Sequence, residues 1–415
     1  VEERQHLVSP DLFVVPCALY APQMLQVAEE LAGIAKSEGV SPRHTVSAHD
    51  EWSPLRSVIV GRAGRACFPY GEPDVIRATM PAGYLTCFKP ASPFPPEIVA
   101  RAEVELNLLA QLLEQRGISV YRPSHVDWLQ HGGYTGAMPR DGLMTVGHCL
   151  IEAPFAWGCR KHEIQLAFGD ILTTLAKGQS TEVRRRPANL YKTSLYDSDG
   201  RQYDLDESKP FSWIINDARP AFDAADFMRF GRVIIGQYSH VTNAAGVAYL
   251  RQHIPKGYSV ELLEVHDPGA MHIDATILPL RQGLLVYHPE KVTEASLRKH
   301  KVLSDWELHA YPFKPKPPHY PPLFMTSPWL SLNALVLDGV HVVVEQEDTQ
   351  TETWFSSLGM KPILCPFRHV NSIGGSFHCA TVDLVRDSGS DAEIIVSLEG
   401  RRQHRRTNEC GQGRF

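Results

Sequence analysis

Five times along this chain a short, β-rich apolar run is followed by a helical stretch and then by a second run of the same kind. The first runs lie at 57–61, 143–147, 232–236, 284–287 and 340–344. All are too short and too sharply bounded for helices, which leaves strands. The clearest helix lies between Pro96 and Gly117, where Val99, Ala102, Leu106, Ala110 and Leu113 recur at three- and four-residue spacing. Weaker periodicity predicts helices over 160–177, 241–253, 292–300 and 350–358, the first two stopping just short of Gly178 and Pro255. Second strands are expected at 118–122, 182–186, 258–264, 306–311 and 360–365.

A unit of strand, helix and strand has one apolar face, which the next unit must cover. Five such units arranged radially make an α/β fold: a pseudo-symmetric α/β-propeller around a central channel. Residues 49–385 hold the repeats. Residues 1–48 read as an extension with a helix at 22–37 (Met24, Val27, Leu31 and Ile34 on one side). Residues 386–415 read as a strand at 393–396 followed by the basic stretch 401–406, a solvated end.

With 43% hydrophobic and 21% charged residues, the chain of 415 can bury a large core and is not disordered. A formal charge of −6 excludes a general nucleic-acid binder. No apolar run of about 18 residues predicts a membrane span. The eight cysteines are scattered without a CxxC pair, which fits neither a disulfide scaffold nor a zinc module and suits a reducing compartment. Glu2-Glu3 argue against a positively charged targeting segment, so the expected location is cytoplasmic, with a mitochondrial one left open.

Polar chemistry concentrates in four stretches: 138–141, 222–227, 271–276 and 371–379. His272 and Asp274 are two apart, so an extended segment points both to one face, and an ionised acid there needs a partner or solvent. Asp223 and Asp226 share a face if helical and diverge if in a loop; alternatively, an Asp there is a plain helix cap. Gly374-Gly375 permit a tight turn before His378-Cys379, the pattern of an activated thiol, although a buried inert cysteine has the same appearance. A nearby imidazolium is expected to lower that thiol toward neutrality. His378 points away from Cys379 if the segment is extended, and is not chosen as its partner. A metal site of His272, Asp274, Asp223 and His240 is the competing chemistry, but no HExxH, HxH or CxxC spacing supports it. Nucleotide-binding glycine motifs are missing as well.

Together these stretches resemble the glycine amidinotransferase family, which moves an amidino group from arginine to an amine. The resemblance runs in order through Asp50-Glu51-Trp52-Ser53-Pro54-Leu55, Ala137 to Asp141, Ile151 to Pro154, Phe222 to Phe227, Met271 to Thr276, Trp329 to Asn333, and Asn371 to Cys379. It implies the five-fold α/β-propeller known as the pentein fold, with Cys379 as nucleophile, His272 as general acid and base, and Asp223 orienting the imidazole. Asp141 and Asp274 would grip the guanidinium. Arginine and an amine acceptor are the implied partners, and no metal or organic cofactor is implied; a homodimer is expected.

The chain departs from the family's pattern around the acceptor. Lys291 stands where the family usually has an arginine for the substrate carboxylate, keeping the charge and losing the fork. Thr326-Ser327 replace a serine pair, and Gly269-Ala270-Met271 replace Asn-x-Met, which predicts a more open loop. The expected acceptor is therefore glycine or a larger secondary-metabolite amine. Two rival readings stay open: a hydrolase that uses water on the same residues, as arginine deiminases do, and a propeller that binds without catalysing.

Overall fold

A computed structural model of the chain describes residues 45–388 apart from 71–74, 77–78, 80–86, 179–180, 188–189, 193, 197–212, 316–319 and 327. The helix expected at 22–37, the strand at 393–396 and the basic stretch at 401–406 lie outside the described residues. No helix among the described residues is long and apolar enough to cross a membrane.

The first blade begins with β1 (Leu55–Val60), crosses through α1 (Pro96–Gln115) and returns as β2 (Ser119–Tyr121). The second holds β3 (Leu143–Val146), β4 (Cys149–Glu152), α2 (Gly169–Leu175) and β5 (Glu182–Arg184). The third holds β6 (Phe227–Phe230), β7 (Val233–Gly236), α3 (Ala244–His253) and β8 (Ser259–Leu262). The fourth holds β9 (Ile277–Arg281), β10 (Leu284–Tyr287), α4 (Glu294–Arg298) and β11 (Glu307–Ala310). The fifth holds β12 (Leu335–Val336), β13 (His341–Glu345), α5 (Thr349–Ser357) and β14 (Lys361–Cys365). The chain then returns to the first blade as β15 (Thr381–Arg386), antiparallel to β1 from Leu55↔Arg386 to Val60↔Thr381.

Among the described residues these strands form five separate three-stranded sheets. In each, a central strand is parallel to the outer strand across its helix and antiparallel to a short inner strand. The crossover units fall where the periodicity put them, but the unit has three strands, not two. Leu143–Gly147, read as the leading strand of the second unit, covers the inner strand β3, and the central strand there is β4. Both are buried apolar runs separated by two residues, so local pattern could not rank them. Inner and central strands turn at glycines with positive φ, Gly147, Gly231, Gly283 and Gly339, where a side chain would be strained.

The helix expected over 160–177 is broken: a 3₁₀ turn at Gly158–Arg160, a π-type turn at Ile164–Phe168, then α2. Packing closes the ring. Ile59, Leu143, Leu150 and Val382 fill the seam of blades one and two, and Met144, Ile151, Phe227 and Ile234 that of two and three. Met228, Ile235, Ile277 and Leu285 join three to four, and Leu278, Leu284, Val336 and Val342 join four to five. Val58, Val60, Leu335 and Val343 return from five to one. Each blade thus covers its neighbour's apolar face.

Inside the ring the inner strands carry charge. Asp383 on β15 accepts from Arg140 at 2.6 Å, from Arg386 at 2.7 Å and from Arg229 of β6. Arg229 is forked onto Glu51 at 2.8 and 2.7 Å. All five side chains are buried. Burial works to raise both carboxyls, but the surrounding guanidiniums hold Asp383 and Glu51 well below the usual carboxylate range.

Asp383→Asn leaves the guanidiniums of Arg140, Arg229 and Arg386 around one remaining acid, and should cost about 3–5 kcal/mol in chemical denaturation; a loss under about 1 kcal/mol contradicts the lattice. The sign with pH follows. The unfolded chain binds protons more readily than these depressed acids, so their contribution is complete above about pH 4 and drains away on acidification.

Candidate active site

A tight turn precedes every inner strand, and these turns bring the reactive groups to one end of the axis. Pro139–Gly142 supplies Asp141, and Ala224–Asp226 follows Asp223. Ile273–Ala275 lies between His272 and β9 and carries Asp274. Asn333 ends a turn closed by its N–H on Leu330, and Cys379 sits in one closed by Ala380 N–H on Ser376. Chain segments far apart in sequence thus occupy equivalent places in five blades.

Two groups of side chains meet there. His272 Nε2 lies 3.1 Å from Asp223 Oδ2, and its Nδ1 lies 3.8 Å from Asp141 Oδ1, too far for a hydrogen bond. Across from them the Cys379 thiol donates to Asp274 Oδ2 at 3.3 Å and accepts from Asn333 Nδ2 at 3.2 Å. Ligating atoms of Asp141, His272 and Cys379 all lie within 4.8 Å of one another. The second oxygens of Asp141 and Asp274 are buried with no hydrogen-bond partner among the described residues. Orphaned carboxylate oxygens call for N–H donors.

The turn that carries Cys379 is held from several sides. Asn333 Oδ1 accepts from the N–H groups of Ser376 at 3.0 Å and Cys379 at 3.1 Å. Met138 Sδ accepts from Gly375 N–H at 3.2 Å. A Cβ on Gly375 would stand 2.4 Å from the Cys379 sulfur, which is why glycine belongs there.

Several expectations change. His272 is extended, but Asp274 lies in the turn after it, so the pair does not share a strand face. His378 does not face away: its Nδ1 lies 2.8 Å from Asp274 Oδ2, the oxygen that also takes the thiol. Asp223 and Asp226 diverge, Asp226 accepting from Gln237 at 2.8 Å and Ser239 at 2.6 Å in the interior. Asp223 caps no helix with its side chain. His240, a candidate in the metal reading, is turned to the Pro268 carbonyl at 2.7 Å. A metal would instead find Asp141, His272 and Cys379.

At the rim, Lys291 is paired with Asp267 at 3.0 Å, and Asp267 Oδ1 also takes the Gly269 N–H at 2.9 Å. Met271 packs on the core of the first blade, and Thr326 is buried. Ser327 lies outside the described residues. Residues not anticipated as part of the site are Asn333, His378 and the buried pair Arg160–Glu163, whose guanidinium reaches Asp141 at 3.0 Å.

The electrostatics reverse one expectation. Burial, reinforced by Asp274 and opposed by His272, pushes the Cys379 thiol up to about 12 instead of toward neutrality. Burial disfavours the His272 imidazolium, yet Asp141 and the Asp223 hydrogen bond hold it well above its ordinary value. Burial raises the Asp141 carboxyl despite His272 and Arg160. Burial also works to raise Asp274, but the His378 hydrogen bond brings it below the ordinary range. Burial and the neighbouring acids thus favour the neutral thiol, and the same acids favour the imidazolium opposite it.

No family model matches the chain. It is 37% identical over 367 residues to the L-arginine:L-lysine amidinotransferase of Pseudomonas savastanoi pv. phaseolicola, covering 84% of this chain and 97% of that protein. It is 35% identical over 355 residues to the mitochondrial glycine amidinotransferase of Danio rerio, covering 82% and 83%. Among solved structures it superposes on SxtG, an amidinotransferase from Microseira wollei in the saxitoxin biosynthetic pathway, with a TM-score of 0.76 and 33% identity over 83% of this chain and 98% of that one.

With no substrate bound, iodoacetamide should modify Cys379 slowly at pH 7 and at a rate still rising near pH 10, since only thiolate reacts. A plateau near neutrality contradicts the electrostatics. In Gly375→Ala the displaced sulfur should lose most of its reactivity while circular dichroism stays unchanged.

Proposed function

We propose a reaction cycle for this chain on one premise: it belongs to the amidinotransferase family. It moves the amidino group of L-arginine through Cys379 to an amine acceptor and releases ornithine. The single observation that carries this is the thiol opposite an imidazole, with two orphaned carboxylate oxygens beside them.

A guanidinium is planar and resonance-stabilised, so its carbon reacts only when held rigidly against the nucleophile. Asp141 Oδ1 and Asp274 Oδ1 are the free acceptors for its N–H groups, through charge-assisted bonds. The cation also offsets the burial and the Asp274 charge that keep the thiol protonated, so the thiol releases its proton to solvent as the substrate settles and the thiolate forms. Sulfur adds to the carbon. His272 gives its proton to the departing nitrogen, ornithine leaves, and an amidino-cysteine remains. A neutral acceptor amine then attacks that carbon, passes a proton to His272 and expels the thiolate. Asp223 holds the ring through Nε2 in both halves.

The acceptor we favour is larger than glycine. Lys291 is engaged with Asp267, so a small carboxylate must compete for it, and a relative sharing 37% identity is named for lysine. The free thiols of Cys67, Cys149, Cys365 and Cys379 fit a reducing compartment such as the cytoplasm.

Incubation with L-arginine and a panel of amines should yield ornithine and a guanidino product, faster with ω-amino acids than with glycine. Citrulline formed without any amine would indicate a hydrolase instead, and preference for glycine would reject the acceptor assignment. Cys379→Ser should abolish transfer, and Asp223→Asn should lower kcat by about 10²–10⁴-fold.

A further inference from the structure

The catalytic cluster contains a guanidinium of the protein's own. Arg160 comes from the 3₁₀ turn Gly158–Arg160 and is 3% exposed. Its Nε and Nη2 are forked onto Glu163 at 2.9 and 2.6 Å. The Phe155 ring centre lies 4.3 Å from its carbon and the Tyr134 ring centre 5.7 Å. The remaining nitrogen, Nη1, donates to Asp141 Oδ2 at 3.0 Å and to Asp223 Oδ2 at 3.4 Å. That Asp223 oxygen is the one facing His272 at 3.1 Å. Asp141 is therefore tied by one oxygen, while the other stays buried and unpartnered among the described residues.

We propose that Arg160 is a positioning residue: braced by Glu163, it ties down the outer oxygens of Asp141 and Asp223, turning Asp141 Oδ1 toward the substrate and sharing Asp223 with His272. The inference rests on reading Asp141 as part of the donor clamp and His272 as the proton carrier. Two consequences follow. Without the tie, Asp141 can rotate, and a misplacement of about 1 Å costs on the order of 10²-fold in rate. Without the competing cation, Asp141 and Asp223 act on the imidazolium alone, and His272 keeps its proton to higher pH.

The charged groups acting on His272 are Asp141, Asp223 and Cys379, with Asp226 and Asp274 beyond them. Those acting on Arg160 are Glu163, Asp141 and Asp223. Arg160 is thus the cation that divides the field of these acids with His272.

Three variants test this in the full chain: Arg160→Met, Arg160→Lys and Glu163→Gln. For Arg160→Met, KM for arginine should rise on the order of tenfold or more. The alkaline limb of its kcat profile should move up by about one pH unit. Arg160→Lys keeps the charge and loses the fork, so its KM rises while its limb stays. Glu163→Gln loosens the brace and raises KM; with Arg160→Lys it decides the matter if Arg160→Met does not fold. NMR titration of ¹⁵N-labelled His272 needs no turnover and should show the same upward displacement in Arg160→Met. If wild-type protein leaves arginine untouched, the amidino-transfer reading fails, and the titration still decides the role of Arg160. Loss of kcat with KM and titration unmoved would show a merely structural residue and overturn the inference.

Discussion

The buried charge lattice on the propeller axis is the constraint on which the site depends. Asp383 draws together guanidiniums from the first, second and third blades, and Glu51 completes the set through Arg229. An isolated charge in such a place is prohibitive, whereas a matched set is tolerable and strongly directional. Because the partners come from β15, from β6, from the turn before β3 and from the segment before β1, neutralising them also fixes how those parts stand relative to one another. His378 links this lattice to the site: one nitrogen faces Asp274 at 2.8 Å and the other faces Glu51 at 3.4 Å. The carboxylate that holds the thiol is thus braced from the lattice beneath it.

Placement then becomes reactivity. Asp141, Asp223 and Asp274 are buried beside the Cys379 thiol, the His272 imidazole and the Arg160 guanidinium. The acids favour a cation and oppose a thiolate. In the proposed cycle the substrate supplies the positive charge that makes its own nucleophile. A lone thiolate held permanently at neutrality would be exposed to oxidation and to any passing electrophile; burial works against such a thiolate at Cys379.

The longest crossover helix, α1, was legible because Val99, Ala102, Leu106, Ala110 and Leu113 repeat an apolar period between clear breaks, and the shorter helices and outer strands were placed mainly by the glycines and prolines that bound them. Inner strands were not, because β12 has two residues and β3 lies two residues from β4. Glycines 147, 231, 283 and 339 were the available signal, marking each hairpin. No local pattern could show that the last described strand, β15, completes the first blade. At the site, the likeness of short motifs supplied Cys379, His272, Asp223, Asp141 and Asp274, and the structure brings all five together. Asn333 sat inside a quoted motif without a role. His378 was set aside on the assumption of an extended segment, which a turn replaces. The direction of the thiol's displacement was misjudged because burial, its largest cause, is a property of the closed ring and not of residues 371–379.

The central claim is that sulfur 379 carries the amidino group between two separate half-reactions. It is tested most directly by mixing the protein with L-arginine alone, quenching at short times, and measuring free ornithine alongside the mass of the peptide that contains Cys379. The account predicts a burst of one ornithine per active site, matched by one amidino group on that peptide and cleared when an amine is added. Ornithine that appears only after an amine is supplied, with the peptide unmodified throughout, would contradict it.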